Sequence, residues 1–363
     1  MGKVYDLIII GAGPAGLAAA IKAKEIGLTY LIIEKGLETL SGIIEFYPAG
    51  KKIYPTIPKG RNPNRPIPSL KPPDKNVTIE EYVKRVKSGI KKIGGVTVKK
   101  NEEFLKFKKG ELIEVETCSG RYKGKNLILA IGSNIPRDLE VYGEARLLAR
   151  TLHNPENYSG NNVLVIGGGN TGADVVITLS RFKREQGDDT TIYWAHRRGK
   201  FKVERGVARD LGEELLLGGN IQIFGKAKPR DAEVDETGIR RLIIRTAEYY
   251  INGEIKLYQG MSFPMKNVIS CIGYCGPTPI FERLGLELMK HPGKTKRTEL
   301  IVLDNNYQTS IKGVYAIGGA ISPSYIKRTK GRIKNEEIKH PNLIFTAVED
   351  GVAVAEYIKT LNL

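Results

Sequence analysis

The pattern G-x-G-x-x-G occurs twice in this chain, each time after a short apolar run and before an amphipathic stretch, and no other feature limits its fold so tightly. The first copy sits in YDLIIIGAGPAGLAAAIKAKEIGLTYLIIEK from Tyr5. Leu7 to Ile10 suit a buried parallel strand, a helix is expected from about Ala15 to Ile26, closed by Gly27, and a second strand from Thr29 to Ile33 ends on Glu34. Gly11 permits the tight turn, Gly13 lets the backbone approach a pyrophosphate, and Gly16 lets helix and strand pack closely. The helix N-terminus attracts the phosphate charge, and Glu34 is placed to accept hydrogen bonds from an adenosine ribose. With Pro14, Ala15 and Lys35 beside them, these residues form a candidate dinucleotide site.

The second copy is NVLVIGGGNTGADVVITLSRF from Asn162, with Gly167, Gly169 and Gly172 in the same spacing around Asn170 and Thr171. The strand that follows, TIYWA, ends not on an acid but on His196, Arg197 and Arg198. A carboxylate there would repel a 2′-phosphate, whereas a pair of guanidinium groups can grip it, so NADPH is expected rather than NADH. Two nucleotide modules would fill 363 residues.

One fingerprint at the N-terminus, a second in mid-chain and a return segment at the C-terminus resemble the low-molecular-weight thioredoxin reductase family of flavoproteins, over nearly the whole chain. Three further stretches carry the resemblance: LILAIGS, Leu127 to Ser133, with its turn at Gly132; HRRGKFKVE, His196 to Glu204; and GVYAIGGAI, Gly313 to Ile321, with Gly318, Gly319 and Ala320. The resemblance implies two Rossmann-like three-layer α/β domains. An FAD domain at 1–155 and 285–363 would be interrupted by an NADPH domain at 156–284. It also implies hydride transfer from NADPH to FAD, and a homodimer. Gly319 stands where the family usually carries an aspartate that bonds the flavin's ribityl chain. The segment HPNLIFTAVEDGVAVAEYI is expected to form a helix from Pro341 and Asn342 to about Ile358, which in the family points its N-terminus at the flavin.

The family's redox-active C-x-x-C pair precedes the second fingerprint, and the corresponding stretch here, RTLHNPENYSG, contains no cysteine. Cys271 and Cys275 lie elsewhere, in CIGYCG; at about 3.3 Å per extended residue their Cα atoms would be roughly 13 Å apart, beyond disulfide reach unless Gly273 turns sharply. They read as small buried hydrophobes or, alternatively, as a displaced pair. Without a dithiol, electrons would leave the flavin directly. His153 lies near the place of the missing thiol, as a proton donor or as a turn residue before Asn-Pro.

Two basic segments should lie near the cofactor: Phe46 to Pro73, with eight prolines, six Lys or Arg and no acid, and Ser324 to His340. Both are expected to be irregular. Together with a formal charge of +17 they suit docking of an acidic carrier, although a heat-adapted composition would give the same excess. The acceptors implied are a ferredoxin first, then a small disulfide, then thioredoxin; a flavin-containing redox sensor is the non-enzymatic alternative. No metal set, helix-turn-helix or zinc spacing occurs, which argues against nucleic acid. The first residues lack a secretory pattern, no apolar run is long enough to span a membrane, and three cysteines suit a reducing compartment, so a cytoplasmic protein is expected.

Overall fold

A computed structural model describes residues 3–58, 67–70, 75–133, 135–139, 148–246, 250–251, 254–255, 259–290, 299–329 and 332–361. Two compact units divide the chain. Met1–Glu45, Ile53–Ile135 and Cys275–Leu363 form the first; Phe46–Lys52 and Pro136–Tyr274 form the second. The second unit thus takes in residues before 156, together with a seven-residue piece from far upstream.

The sheet of the first unit runs, in spatial order, Val98–Lys99, Tyr30–Ile33, Val4–Ile10, Arg121–Leu129, Ile113–Thr117 and Phe104–Lys109, and Val314–Ala316 also joins Arg121–Leu129. Val4–Ile10 pairs in parallel with both of its neighbours, and Leu7, Ile8 and Ile9 are fully buried. That accounts for the unbroken apolar run, since a parallel strand covered on both faces has no polar side. Helix Pro14–Glu25 follows, and helix Ile344–Leu361 packs along it, with a side chain at Gly351 excluded by the backbone of Ala15 and Ala19.

The stretch from Ser324 is not the irregular segment its charge suggested. Strands Ser324–Thr329 and Arg332–Lys339 pair antiparallel and extend a sheet containing Leu288–Lys290 and Glu299–Leu303. Tyr325 and Ile326 are buried, and Ile326 pairs with Val302, so β-branched and aromatic residues between the charges hold the strand in place. Of the proline-rich stretch, residues 59–66, which include Arg61, and 71–74 lie outside the described residues.

The second unit has a parallel sheet in the order Ile221–Phe224, Ile192–Ala195, Val163–Ile166, Val268–Ser270, and a separate antiparallel sheet of Lys228–Val234, Arg240–Thr246 and Gln259–Pro264. Helix Asn170–Glu185 follows the strand Val163–Ile166. Among the described residues, no helix is long and apolar enough to cross a membrane.

Candidate functional site

In the first unit the glycines converge with the C-terminal motif. Gly11 has φ +102°, and a Cβ there would stand 2.5 Å from the Ala130 carbonyl oxygen, so only glycine fits between the strands. A Cβ on Gly16 would collide with the Gly11 carbonyl, whereas the Cβ positions of Gly13 and Gly132 meet nothing within 4 Å. Gly13 is the N-cap of the helix that Pro14 begins, with no side chain capping it, so the helix's free N–H groups face an open cradle. A pyrophosphate suits that cradle. Glu34 is buried, and its two carboxylate oxygens accept from the N–H of Ala12 at 2.6 Å and of Gly36 at 2.7 Å. The acid therefore orders the glycine loop itself, with a lone pair left on each oxygen. Lys35 beside it is exposed.

Ala320 is buried, and a Cβ on Gly318 would come within 2.8 Å of the Ala15 Cβ, which places this turn against the glycine loop. A Cβ on Gly319 would lie 3.1 Å from the Ser133 nitrogen and 3.3 Å from both the Asn342 Oδ1 and the Gly132 Cα. A larger side chain is crowded there, which gives the missing aspartate a steric reason. Sequence reasoning missed the acid that does reach this turn: Asp350, fully buried, accepts the Gly318 N–H at 2.9 Å. Its position in an apolar-periodic helix gave no signal. The helix expected from Pro341 begins at Ile344.

The second unit repeats the geometry with different chemistry. Side chains at Gly167 and Gly172 are excluded by the Cys271 and Gly167 carbonyls, and Gly169, the N-cap of the helix begun by Asn170 and Thr171, is open. Where the first unit has a carboxylate, the Trp194 indole donates to the Gly167 carbonyl at 2.7 Å and the His196 Nδ1 accepts the Gly168 N–H at 3.2 Å. Burial, then Arg198 and Arg197, hold the His196 pKa below its ordinary value, so the ring is a neutral acceptor at pH 7. His196 thus packs under the loop, against the Phe201 ring at 5.3 Å, while Arg197 and Arg198 are exposed at its rim. The loop is laced back to the cradle: the Lys202 N–H donates to the Gly168 carbonyl at 2.7 Å and the Glu204 N–H to the Asn170 Oδ1 at 2.8 Å. Lys200 and Lys202 are exposed on the same loop, so its cations suit a phosphate.

Lys51 and Lys52, part of the expected docking loop, are instead paired within the second unit. Lys51 Nζ lies 2.5 Å from the buried Asp174 and Lys52 Nζ 2.5 Å from the buried Asp210. Burial raises the Asp174 pKa, and Lys51 opposes that rise. His153 is exposed, one residue before Asn154, whose side chain caps the 3₁₀ turn Pro155–Tyr158. All three cysteines are free; Cys271 is buried, with its thiol pushed up to about 12 by burial, and Cys118 and Cys275 are exposed. At that pKa Cys271 carries almost no thiolate at pH 7.

A match to the pyridine nucleotide-disulphide oxidoreductase family runs over residues 8–207. Among curated proteins, a ferredoxin–NADP reductase of Ignicoccus hospitalis is 29% identical over 317 residues, covering 86% of this chain and 89% of that one. A ferredoxin–NADP reductase of Streptococcus thermophilus is 26% identical, covering 88% and 85%. Among solved structures, the bacillithiol disulfide reductase of Staphylococcus aureus superimposes with a TM-score of 0.75 at 19% identity over 100% of both chains. The thioredoxin reductase of T. acidophilum does so at 0.69 and 19%, over 99% of each. These two structures share the fold.

Proposed function

The chain belongs to the pyridine nucleotide-disulphide oxidoreductase family and is an oxidoreductase; within that class, we propose that it is an NADPH-dependent FAD enzyme that delivers electrons directly to an external carrier, a ferredoxin in the first instance. The observation that carries the reading is the pairing of two open glycine cradles, one ordered by Glu34 and one rimmed by Arg197 and Arg198. The names of the curated relatives favour ferredoxin as the acceptor. The thiol chemistry weighs against a dithiol relay to thioredoxin, because Cys271 is held protonated and the family's C-x-x-C stretch has no cysteine.

When bound, FAD supplies a two-electron centre that accepts a hydride from NADPH and yields the electrons to the carrier. The chain's own groups hold the two nucleotides. In the first unit Gly11 and Gly13 let the backbone approach the FAD pyrophosphate, Pro14 starts the helix without an N–H of its own, Ala15 and Gly16 offer their free helix N–H groups, and Glu34 orders that loop and accepts from the ribose. Gly132, Gly318, Gly319 and Ala320 bring backbone close to the rest of the cofactor. In the second unit Gly167, Gly169, Asn170, Thr171 and Gly172 take the NADPH pyrophosphate, with Arg197 and Arg198 on its 2′-phosphate; His196 serves the loop from beneath. No step is assigned to His153. A cytoplasmic homodimer completes the reading.

Anaerobic addition of NADPH to the purified protein is expected to bleach its flavin band, with NADH far less effective; an unchanged band sinks the proposal. Ferredoxin, thioredoxin and a low-molecular-weight disulfide, offered to the reduced enzyme under identical conditions, should be reduced fastest in the case of ferredoxin. Turnover with the disulfide alone would reassign the acceptor.

A further inference from the structure

The backbone N–H and C=O of Gly318 are both tied into one buried ring of hydrogen bonds. The Gly318 N–H donates to Asp350 Oδ2 at 2.9 Å, and the same oxygen lies 2.9 Å from His340 Nε2. His340 Nδ1 lies 2.8 Å from Ser322 Oγ, and Ser322 Oγ reaches the Gly318 carbonyl at 3.4 Å. The circuit therefore returns to the residue at which it began. Asp350, His340 and Ser322 are 0%, 3% and 6% exposed. Neither nucleotide fingerprint absorbs these three side chains.

Two further facts indicate what the ring is for. Gly318 has φ +66°, a left-handed conformation that the turn must hold immediately before Gly319 and beside Ala15. The second oxygen of Asp350, Oδ1, is buried without a hydrogen-bond partner, so the whole hydrogen-bonding role of this carboxylate runs through Gly318 and His340. A buried acid is costly unless it is paired, and an apolar residue on this helix face would be cheaper if packing alone were served. The ring also explains how the turn does without an acid at 319, where Ser133, Asn342 and Gly132 crowd any side chain.

We infer that Asp350, with His340 and Ser322, is a positioning set that fixes the Gly318–Gly319 turn from behind for FAD, taking over the ordering of a motif that in this chain has no acid of its own. The inference rests on the FAD reading of the first site. None of the three side chains contacts the cofactor; each acts through the Gly318 backbone. Asp350→Asn keeps the shape and an oxygen that can face Gly318 and His340, but replaces the carboxylate with a neutral amide. Turning two charge-assisted hydrogen bonds into neutral ones corresponds to about tenfold in affinity, so the FAD Kd of deflavinated protein should rise by that factor. Ser322→Ala, which opens the far side of the ring, should raise it several-fold.

Three readouts separate positioning from mere packing: FAD Kd by flavin fluorescence, the vibronic shape of the bound flavin's absorption band, and NADPH Kd as a measure of the intact second unit. The expected result is weaker FAD binding and an altered flavin band at unchanged NADPH affinity. Lower thermal stability of the apoprotein with FAD Kd and flavin band unmoved in both variants would overturn the inference. If Asp350→Asn fails to fold, as loss of NADPH binding would reveal, Ser322→Ala decides the matter by the same criterion. Wild-type protein that binds no FAD at all would instead overturn the FAD reading itself, which the wild-type titration reports before any variant is compared.

Discussion

The two cradles share a spacing and differ in what fills the space behind it. In the first unit the carboxylate of Glu34 plugs the loop by accepting the Ala12 and Gly36 N–H groups; in the second the neutral ring of His196 takes the Gly168 N–H, and the Trp194 indole takes the Gly167 carbonyl. One plug is a carboxylate. The other is an uncharged ring, and Arg197 and Arg198 stand exposed at its rim. On the proposed reading, the glycines take the pyrophosphate in both units, and the residue at the end of the second strand distinguishes the nucleotides.

The most severe way to break this comparison is to close one cradle and leave the other. Gly11→Ala forces a Cβ toward the Ala130 carbonyl at φ +102°. Strain of about 1–3 kcal/mol there predicts FAD binding on the order of a hundredfold weaker, with NADPH affinity intact by fluorescence titration. Loss of both nucleotides would instead mean that the units do not bind independently.

Next in size is Lys51→Met, which strips the buried Asp174 of its cation and should destabilise the second unit by about 3–5 kcal/mol in thermal unfolding. The sign of the pH dependence follows from the raised pKa of Asp174. Between the ordinary carboxylate value of 3.8 and that raised value the folded state binds more protons than the unfolded, so stability falls as pH climbs through this window. Without Lys51 the pKa rises further, so the variant's deficit should be smallest in acid and grow toward neutral pH. A pH-independent deficit would mean that Lys51 contributes by packing.

Arg197→Ala and Arg198→Ala test the chemical difference directly. Each should weaken NADPH about tenfold or more while leaving NADH within twofold, as stopped-flow reduction would report. Equal losses for both nucleotides would refute recognition of the 2′-phosphate. The smallest effect is expected for Cys271→Ser and Cys275→Ser, which should retain kcat with the protein carrier within about twofold, since the Cys271 thiol, held at about 12, is not a working nucleophile at pH 7 and a dithiol relay needs both cysteines. A loss of a hundredfold in either would restore the dithiol reading of CIGYCG.

The strand, glycine and helix order of both units was legible because a buried parallel strand must be apolar throughout and a glycine turn tolerates no Cβ; Leu7 to Ile10 and Gly11 announce these constraints locally. The basic hairpin from Ser324 was not legible as strands, because its partner strand, Glu299–Leu303, lies more than twenty residues upstream and its own charges imitate a loop. Lys51 looked like a surface charge for the same reason: Asp174, its partner, is 123 residues away in sequence. The sequence groups His196 with two arginines, and only its fold-back onto Gly168 gives it a place beneath the loop.

By itself the sequence determined two dinucleotide folds and the charge that each presents, since the spacing of the glycines and the identity of the residue ending each second strand are written within about thirty consecutive positions. Only the tertiary structure decided how the C-terminal turn is held. Gly318, Ser322, His340 and Asp350 are spread over the hairpin and the last helix, and hydrogen bonds between such residues depend on where the backbone brings them rather than on any period in the chain.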